Sequence, residues 1–242
     1  MKTIGLLGGM SWESTALYYA IVNRTVAERL GGLHSAKIVL ASVDFDEIER
    51  LQQAGRWDQA GDRLGDEAAK LERAGADFLV LCTNTMHKVA PAIEARASIP
   101  LLHIADPTAR EAARTGAKVV GLLGTRFTME EDFYRARLEK KHGLRVLVPA
   151  AADREVVHGV IYDELCRGKV VDSSRAKYRA VMADLAARGA QAIILGCTEI
   201  TMLVDASDST VPLLDTTRVH AEAAALLALG ELVAEQAQAS AP

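Results

Sequence analysis

One stretch of this sequence occurs twice. Ala74-Gly75-Ala76-Asp77-Phe78-Leu79-Val80-Leu81-Cys82-Thr83-Asn84 returns as Arg188-Gly189-Ala190-Gln191-Ala192-Ile193-Ile194-Leu195-Gly196-Cys197-Thr198, with Gly75 answering Gly189 at an offset of 114. Ile4-Gly5-Leu6-Leu7-Gly8-Gly9 returns as Val120-Gly121-Leu122-Leu123-Gly124-Thr125 at an offset of 116. Ile99-Pro100-Leu101-Leu102-His103 returns as Val211-Pro212-Leu213-Leu214-Asp215 at an offset of 112. Unrelated α/β units share Gly-apolar-Gly turns, but they do not keep both order and offset. The chain must therefore build one supersecondary plan twice. The same alignment sets Thr83 opposite Cys197, and Cys82 opposite Gly196.

Short apolar runs alternate with longer amphipathic segments. Thr3–Leu7, Lys37–Ser42, Phe78–Leu81 and Pro100–Ile104 read as strands of the first half; Lys118–Leu123, Arg145–Val148, Ala192–Leu195 and Pro212–Leu214 read as strands of the second. Unbroken Ile/Leu/Val runs fit strands buried on both faces, as parallel sheets require. Helices are predicted over Trp12–Leu30, Arg56–Ala74, Pro107–Thr115, Glu130–His142, Val156–Arg167, Ser174–Arg188 and Val219–Gln238. Several stop at glycine, and Thr128-x-x-Glu131 has the form of a capping box. The expected fold is α/β: two pseudo-symmetric, doubly wound lobes with parallel sheets and an active site in the cleft between them. The lobes are expected over 1–103 plus 216–242, and over 104–215. Ala237–Pro242 reads as a frayed tail.

Composition narrows the function. Half of the 242 residues are hydrophobic, a quarter are charged, and the net charge is −4, which describes an ordinary globule. No basic stripe is present, so nucleic acid is not an expected partner. No apolar run approaches a membrane span, and the run Ile4–Leu7 is too short for a signal-peptide core, so a cytoplasmic protein without membrane contact is expected. The three cysteines form no Cys-x-x-Cys pair and the six histidines no H-x-x-x-H, so neither disulfides nor a metal site is expected.

Ligands of open α/β sheets bind at the carboxyl ends of strands, where Thr83 and Cys197 fall. Gly196 before Cys197 and Thr198-Glu199 after it point to a turn into a helix, where a thiol gains from the helix dipole and becomes a thiolate near neutral pH. Cys82, one residue before Thr83, takes the opposite face and reads as packed; so does Cys166. The turns at Gly8-Gly9-Met10-Ser11 and Gly124-Thr125 offer amides and hydroxyls to an anion. Asn84, Thr85 and Thr198 extend that polar rim. His87 either faces the cleft or caps a helix. Glu199 either tunes Cys197 or binds an ammonium group, and Lys169 can reach a substrate carboxylate.

These residues resemble the aspartate/glutamate racemase family, which inverts amino acids without pyridoxal phosphate. The resemblance covers essentially the whole chain and rests on Gly8-Gly9-Met10-Ser11-Trp12-Glu13-Ser14-Thr15, Asn84-Thr85-Met86-His87 and Gly196-Cys197-Thr198-Glu199. The Cys-Thr-Glu run resembles the aspartate branch, and the Gly-Met-Ser-Trp-Glu-Ser start looks like the enterobacterial broad-specificity or L-aspartate/glutamate type. The family implies a homodimer, no cofactor, and two cysteines working on opposite faces of the α-carbon. This chain has Thr83 where the family has the first cysteine. By similarity Met10, Gln52, Asn84, Thr85, Thr125 and Lys169 hold the amino-acid substrate.

The expected chemistry is removal of the α-proton of an L-amino acid, aspartate or glutamate, by Cys197 and reprotonation from the Thr83 side, so that L to D is favoured. Two alternatives share the scaffold. One is a malonate-type decarboxylase in which a single cysteine protonates an enediolate. The other is an amino-acid-binding protein whose catalysis is impaired.

Overall fold

The computed structural model describes residues 1–232. They form two compact units, one of residues 1–104 joined by the chain from 220 onward, the other of residues 105–219. The stretch 237–242, read above as a frayed tail, and the end of the last expected helix lie outside the described residues.

The first unit is built on a four-stranded parallel sheet of β1 (Ile4–Gly8), β2 (Ile38–Ser42), β3 (Phe78–Leu81) and β4 (Leu101–Leu102), in the order β2-β1-β3-β4. Its helices are α1 (Trp12–Leu30), α2 (Phe45–Gln53), α3 (Trp57–Arg73) and α4 (Ala90–Glu94). Alternation along the strands splits the core in two. Ile4, Leu6, Phe78 and Val80 face Tyr18, Val22 and Val26 of α1 and the alanines 221–228 near the chain's end. Leu7, Leu79 and Leu81 face Ile48, Leu64, Ala68 and Ile93 of the other helices.

The second unit repeats the plan. Helix α5 (Ala105–Arg114) precedes β5 (Val119–Gly124), α6 (Arg126–Glu130), α7 (Asp132–Ala136), β6 (Arg145–Leu147), α8 (Ala151–Gly159), α9 (Asp172–Ala187), β7 (Ala192–Gly196), α10 (Ile200–Leu203) and β8 (Leu213–Asp215); α11 (Thr216–Leu229) begins in this unit and belongs to the first from His220 on. The sheet is again parallel, in the order β6-β5-β7-β8. In each unit the second strand lies to one side of the first and the third to the other, so the order reverses between first and third strands. That reversal point is where an open α/β sheet leaves a crevice at its carboxyl edge.

Eight strands were expected and eight are present among the described residues, each within a residue or two of its expected bounds. The helices differ more. Residues 130–142 do not form one helix: α6 ends at Glu130, α7 follows, and residues 137–141 wind as a π-helical turn. The cause is Asp106, whose carboxylate is buried and collects Arg137 at 2.8 and 2.7 Å, Lys141 at 3.1 Å and His142 at 2.8 Å. A wider turn brings positions five apart onto one face, which an α-helix does not. Thr128 does not open a helix either. Thr125 caps α6 by accepting the Thr128 amide, and Thr128 is wholly buried one turn in. Helix α2 was not foreseen, although Phe45, Ile48 and Leu51 recur at helical spacing and pack on the core.

Removing the carboxylate at 106 strands several cations around a dry position. Asp106→Ala is therefore expected to lower stability by about 3–5 kcal/mol, read as a lower denaturant midpoint with an unchanged slope.

Candidate active site

Strand register defines the candidate site in each unit independently. Leu7 pairs with Leu81 across β1 and β3, and Leu123 pairs with Leu195 across β5 and β7. Thr83 and Cys197 each stand two residues past the leucine of the third strand. The equivalence seen in the repeat is thus also an equivalence in the two ladders. The neighbouring turns carry glycine for steric reasons. Gly9 has φ of 95°, and a Cβ there would meet the Val43 carbonyl at 2.2 Å. A Cβ on Gly196 would meet the Leu123 carbonyl at 2.8 Å. Close approach of first and third strands leaves no room for a side chain one step before Cys197.

In the first unit, Cys82 extends the Phe78/Val80 face and is wholly buried among Ile4, Leu6, Tyr18 and Val22. Its sulfur lies 3.7 Å from the Val80 carbonyl, and burial pushes its thiol far up. It is a core residue, as its face implies. Thr83 is half-buried, and its hydroxyl has no hydrogen-bond partner among the described residues. Its amide goes to the Leu81 carbonyl at 2.9 Å. The chain then winds as a 3₁₀ turn over Thr85–Val89, which holds Asn84, Thr85 and Met86 buried beside it. Met10 packs in the same cluster as Met86, and Gln52 of α2 is buried with its amide nitrogen 2.8 Å from the Met86 sulfur. Met10, Gln52, Asn84, Thr85 and Thr83 therefore belong to one region. The Gly8-Gly9 turn is largely satisfied from within: the Gly9 amide donates to the Thr15 hydroxyl at 2.8 Å, and Ser11 caps α1. That amide is not free for a substrate anion.

In the second unit, Cys197 is half-buried and packs against the cluster of Leu195, Ile200 and Leu203. Its sulfur donates to Glu199 Oε2 at 2.9 Å. Burial and the Glu199 carboxylate raise its thiol well above the ordinary range, which disfavours the thiolate. That shift runs against the dipole-stabilised thiolate expected from the sequence. The next helix, α10, has four residues and starts at Ile200, so it is too short and too distant to supply a useful dipole. Thr198 is buried and accepts from the Thr217 hydroxyl at 3.1 Å. Thr125 is buried at the end of β5, and the Arg126 amide beside it donates to His158 Nδ1 at 3.3 Å. Cys166 is not packed as expected. Leu165 takes the core position, and Cys166 is exposed on the 3₁₀ turn Leu165–Arg167, close enough to Cys197 to oppose its ionisation. Lys169, just past that turn, is exposed.

Two further residues stand near the site, and the first carried no sequence signal. Tyr178 is wholly buried, donates to the Val157 carbonyl at 3.0 Å, and its phenol is pushed up first by burial and then by Cys197 beside it. His87, noticed in the sequence but open in its role, is buried, and its ring contacts the Thr83 carbonyl. Among the described residues, no group of three or more His, Cys, Asp or Glu could hold a metal ion, and no helix is long and apolar enough to cross a membrane.

The Cys197–Glu199 contact has a measurable sign. Deleting the carboxylate charge removes a group that opposes the thiolate, so the thiol's pKa falls. Glu199→Gln is expected to raise the Cys197 alkylation rate at pH 8, by about tenfold for each pKa unit the thiol falls. Peptide mass spectrometry separates this from alkylation of the exposed Cys166.

A profile of the Asp/Glu/Hydantoin racemase family matches residues 7–224. The broad specificity amino-acid racemase RacX of Bacillus subtilis (strain 168) is 28% identical over 151 residues, 62% of this chain and 64% of that protein, so the chain matches just under two thirds of that relative's length. Two solved structures align with nearly the whole chain. A candidate Asp/Glu racemase from Yersinia pestis is 56% identical with a TM-score of 0.90, covering 95% of this chain and 100% of its own. An aspartate racemase homologue from Pyrococcus horikoshii OT3 is 30% identical with a TM-score of 0.82, covering 95% and 100%. With nine-tenths of its length inside the family profile and these structures sharing its two repeated sheets, the chain belongs to the Asp/Glu/Hydantoin racemase family.

Proposed function

We propose that this protein is a cofactor-independent isomerase that inverts the α-carbon of an acidic amino acid, aspartate or glutamate, with Cys197 and Thr83 serving opposite faces of that carbon. The observation that carries this reading is the register. The position that holds a carboxylate-linked thiol in one repeat holds a hydroxyl without a partner among the described residues in the other.

Glu199 takes the thiol proton from Cys197, leaving a thiolate two residues away. The thiolate removes the α-proton of the L-amino acid, and the electron pair moves onto the substrate carboxylate as an enediolate. That carboxylate needs cationic or amide partners as its charge grows. Lys169 and Arg126 are the candidate cations for that carboxylate; Arg50 is less suited, because Asp46 already pairs with it. The Thr83 hydroxyl then donates its proton to the opposite face, and the alkoxide left behind is quenched by water. Asn84, Thr85, Thr125 and Thr198 offer the polar groups that hold the substrate, with Met10 and Gln52 behind them. Two-lobed racemisation of this kind also accords with a homodimer and a cytoplasmic enzyme acting on a small amino acid.

A hydroxyl is a very poor base. Because the two enantiomers have equal free energy, kcat/KM must match in both directions; the asymmetry therefore lies in the individual constants and in exchange without inversion. The variant series is set by the roles. Cys197→Ser is expected to cut conversion of L- to D-aspartate or glutamate by about 10³-fold or more, consistent with losing the residue that removes the proton. Thr83→Cys is expected to raise kcat from the D-enantiomer, and Cys82→Ala to leave turnover within about twofold, being a small core change. Chiral chromatography of the products checks all three. Loss of turnover in Cys82→Ala, with the fold intact, would overturn the assignment of the Thr83 side.

A further inference from the structure

Three imidazoles are buried together in the first unit. His87 and His103 have ring centroids 4.4 Å apart, and His87 and His220 lie 6.0 Å apart. All three are nearly inaccessible, at 1%, 4% and 0% exposure, which excludes bulk water as their partner. His220 joins Tyr18 at 2.7 Å to the Leu102 carbonyl at 2.8 Å, and so ties the end of β4 to α1. His87 has a different pair of contacts: one ring nitrogen meets the Thr83 carbonyl at 2.8 Å, the other the Ile104 amide at 3.1 Å.

The partners assign the tautomer. An amide can only donate, so Nε2 of His87 accepts and carries no proton. Nδ1 therefore bears the hydrogen and donates to the Thr83 carbonyl. In an α-helix that carbonyl would take the amide of residue 87. The 3₁₀ winding directs that amide to Asn84 instead, at 3.1 Å, and the imidazole of the same residue substitutes for it. One ring thus satisfies two buried backbone groups that no ladder reaches, one on the reacting threonine and one where the chain leaves the first sheet. A second proton on the ring would place two donors face to face at Ile104, so the ring works as a neutral bridge.

We propose that His87 is a positioning residue for proton delivery from the Thr83 side: its Nδ1–H holds the Thr83 backbone, and so the hydroxyl, at the height the carbanion needs. This rests on the proposed role of Thr83. It predicts a selective defect, because removal of the α-proton by Cys197 does not pass through this contact.

The test exploits geometry. An asparagine amide nitrogen falls near the place of Nδ1, whereas a glutamine amide falls near Nε2. His87→Asn keeps the donor to Thr83 and His87→Gln keeps only the acceptor for Ile104. In D₂O with the L-substrate, NMR gives α-deuteron incorporation into the remaining L-form, and chiral chromatography gives the D-form produced. His87→Gln is expected to lower the ratio of D-form to incorporated deuteron by about 10- to 100-fold, as misplacement of a reacting group does, while incorporation into L persists. His87→Asn is expected to keep the ratio within about threefold, since the hydrogen bond it retains is the positioning one. Loss of exchange and inversion together in both variants, or an unchanged ratio in His87→Gln while Thr83→Ala collapses it, would overturn the proposal. An unchanged ratio in Thr83→Ala would instead sink the proton-donor reading. The Thr83 carbonyl ¹³C resonance, read without turnover, then decides this one: it should move in His87→Gln and not in His87→Asn, and a carbonyl indifferent to both contradicts the positioning role.

Discussion

Everything about the site depends on the pairing of each unit's first strand with its third. The contacts Leu7–Leu81 and Leu123–Leu195 fix how far each third strand extends beyond its neighbour. Because these strands are parallel and face helices on both sides, a one-residue slip would exchange the two packed faces and set every side chain against the wrong helices, which is costly. The same register decides which residue of each pair Cys82/Thr83 and Gly196/Cys197 packs and which is left at the edge. Chemistry is thus placed by the constraint that holds the sheet together, and not by a separately shaped loop.

Within that frame the two units solve different electrostatic problems. The second surrounds a sulfur with apolar side chains and sets one carboxylate against it, which disfavours the thiolate. Such a base is strong once formed, which suits a weakly acidic α-proton. The first unit carries no charge at the equivalent position. It presents a hydroxyl whose backbone is held by Leu81 on one side and by the neutral ring of His87 on the other. In the proposed reaction one half takes a proton, and the other stands still while giving one up.

Much of this could be read from residue order. The repeat announced two equal sheets, and apolar runs marked all eight strands, because parallel strands buried on both faces must be continuously apolar. Alternation alone separated Cys82 from Thr83. The misreadings share a cause: partners distant in sequence. Asp106 sits some thirty residues before the cations that wind around it, so residues 130–142 looked like one helix. Thr128 matched a capping box, yet the cap is Thr125, chosen by where β5 ends. Cys166 shared an amphipathic pattern with Leu165, and only the packing on Ile200 and Leu203 shows which of them is inside. His87 could not be assigned because its second partner, Ile104, belongs to a different strand end.

The division of labour between a sulfur and a hydroxyl is tested most directly by initial rates of α-proton exchange in D₂O, measured by NMR on each enantiomer of aspartate and glutamate with the unmodified protein. The account requires the L-enantiomer to take up deuterium with its configuration retained, faster than it inverts, while the D-enantiomer takes up almost none without inverting. Retained exchange at equal rates from both enantiomers would mean that the two faces carry bases of equal strength, and would contradict it.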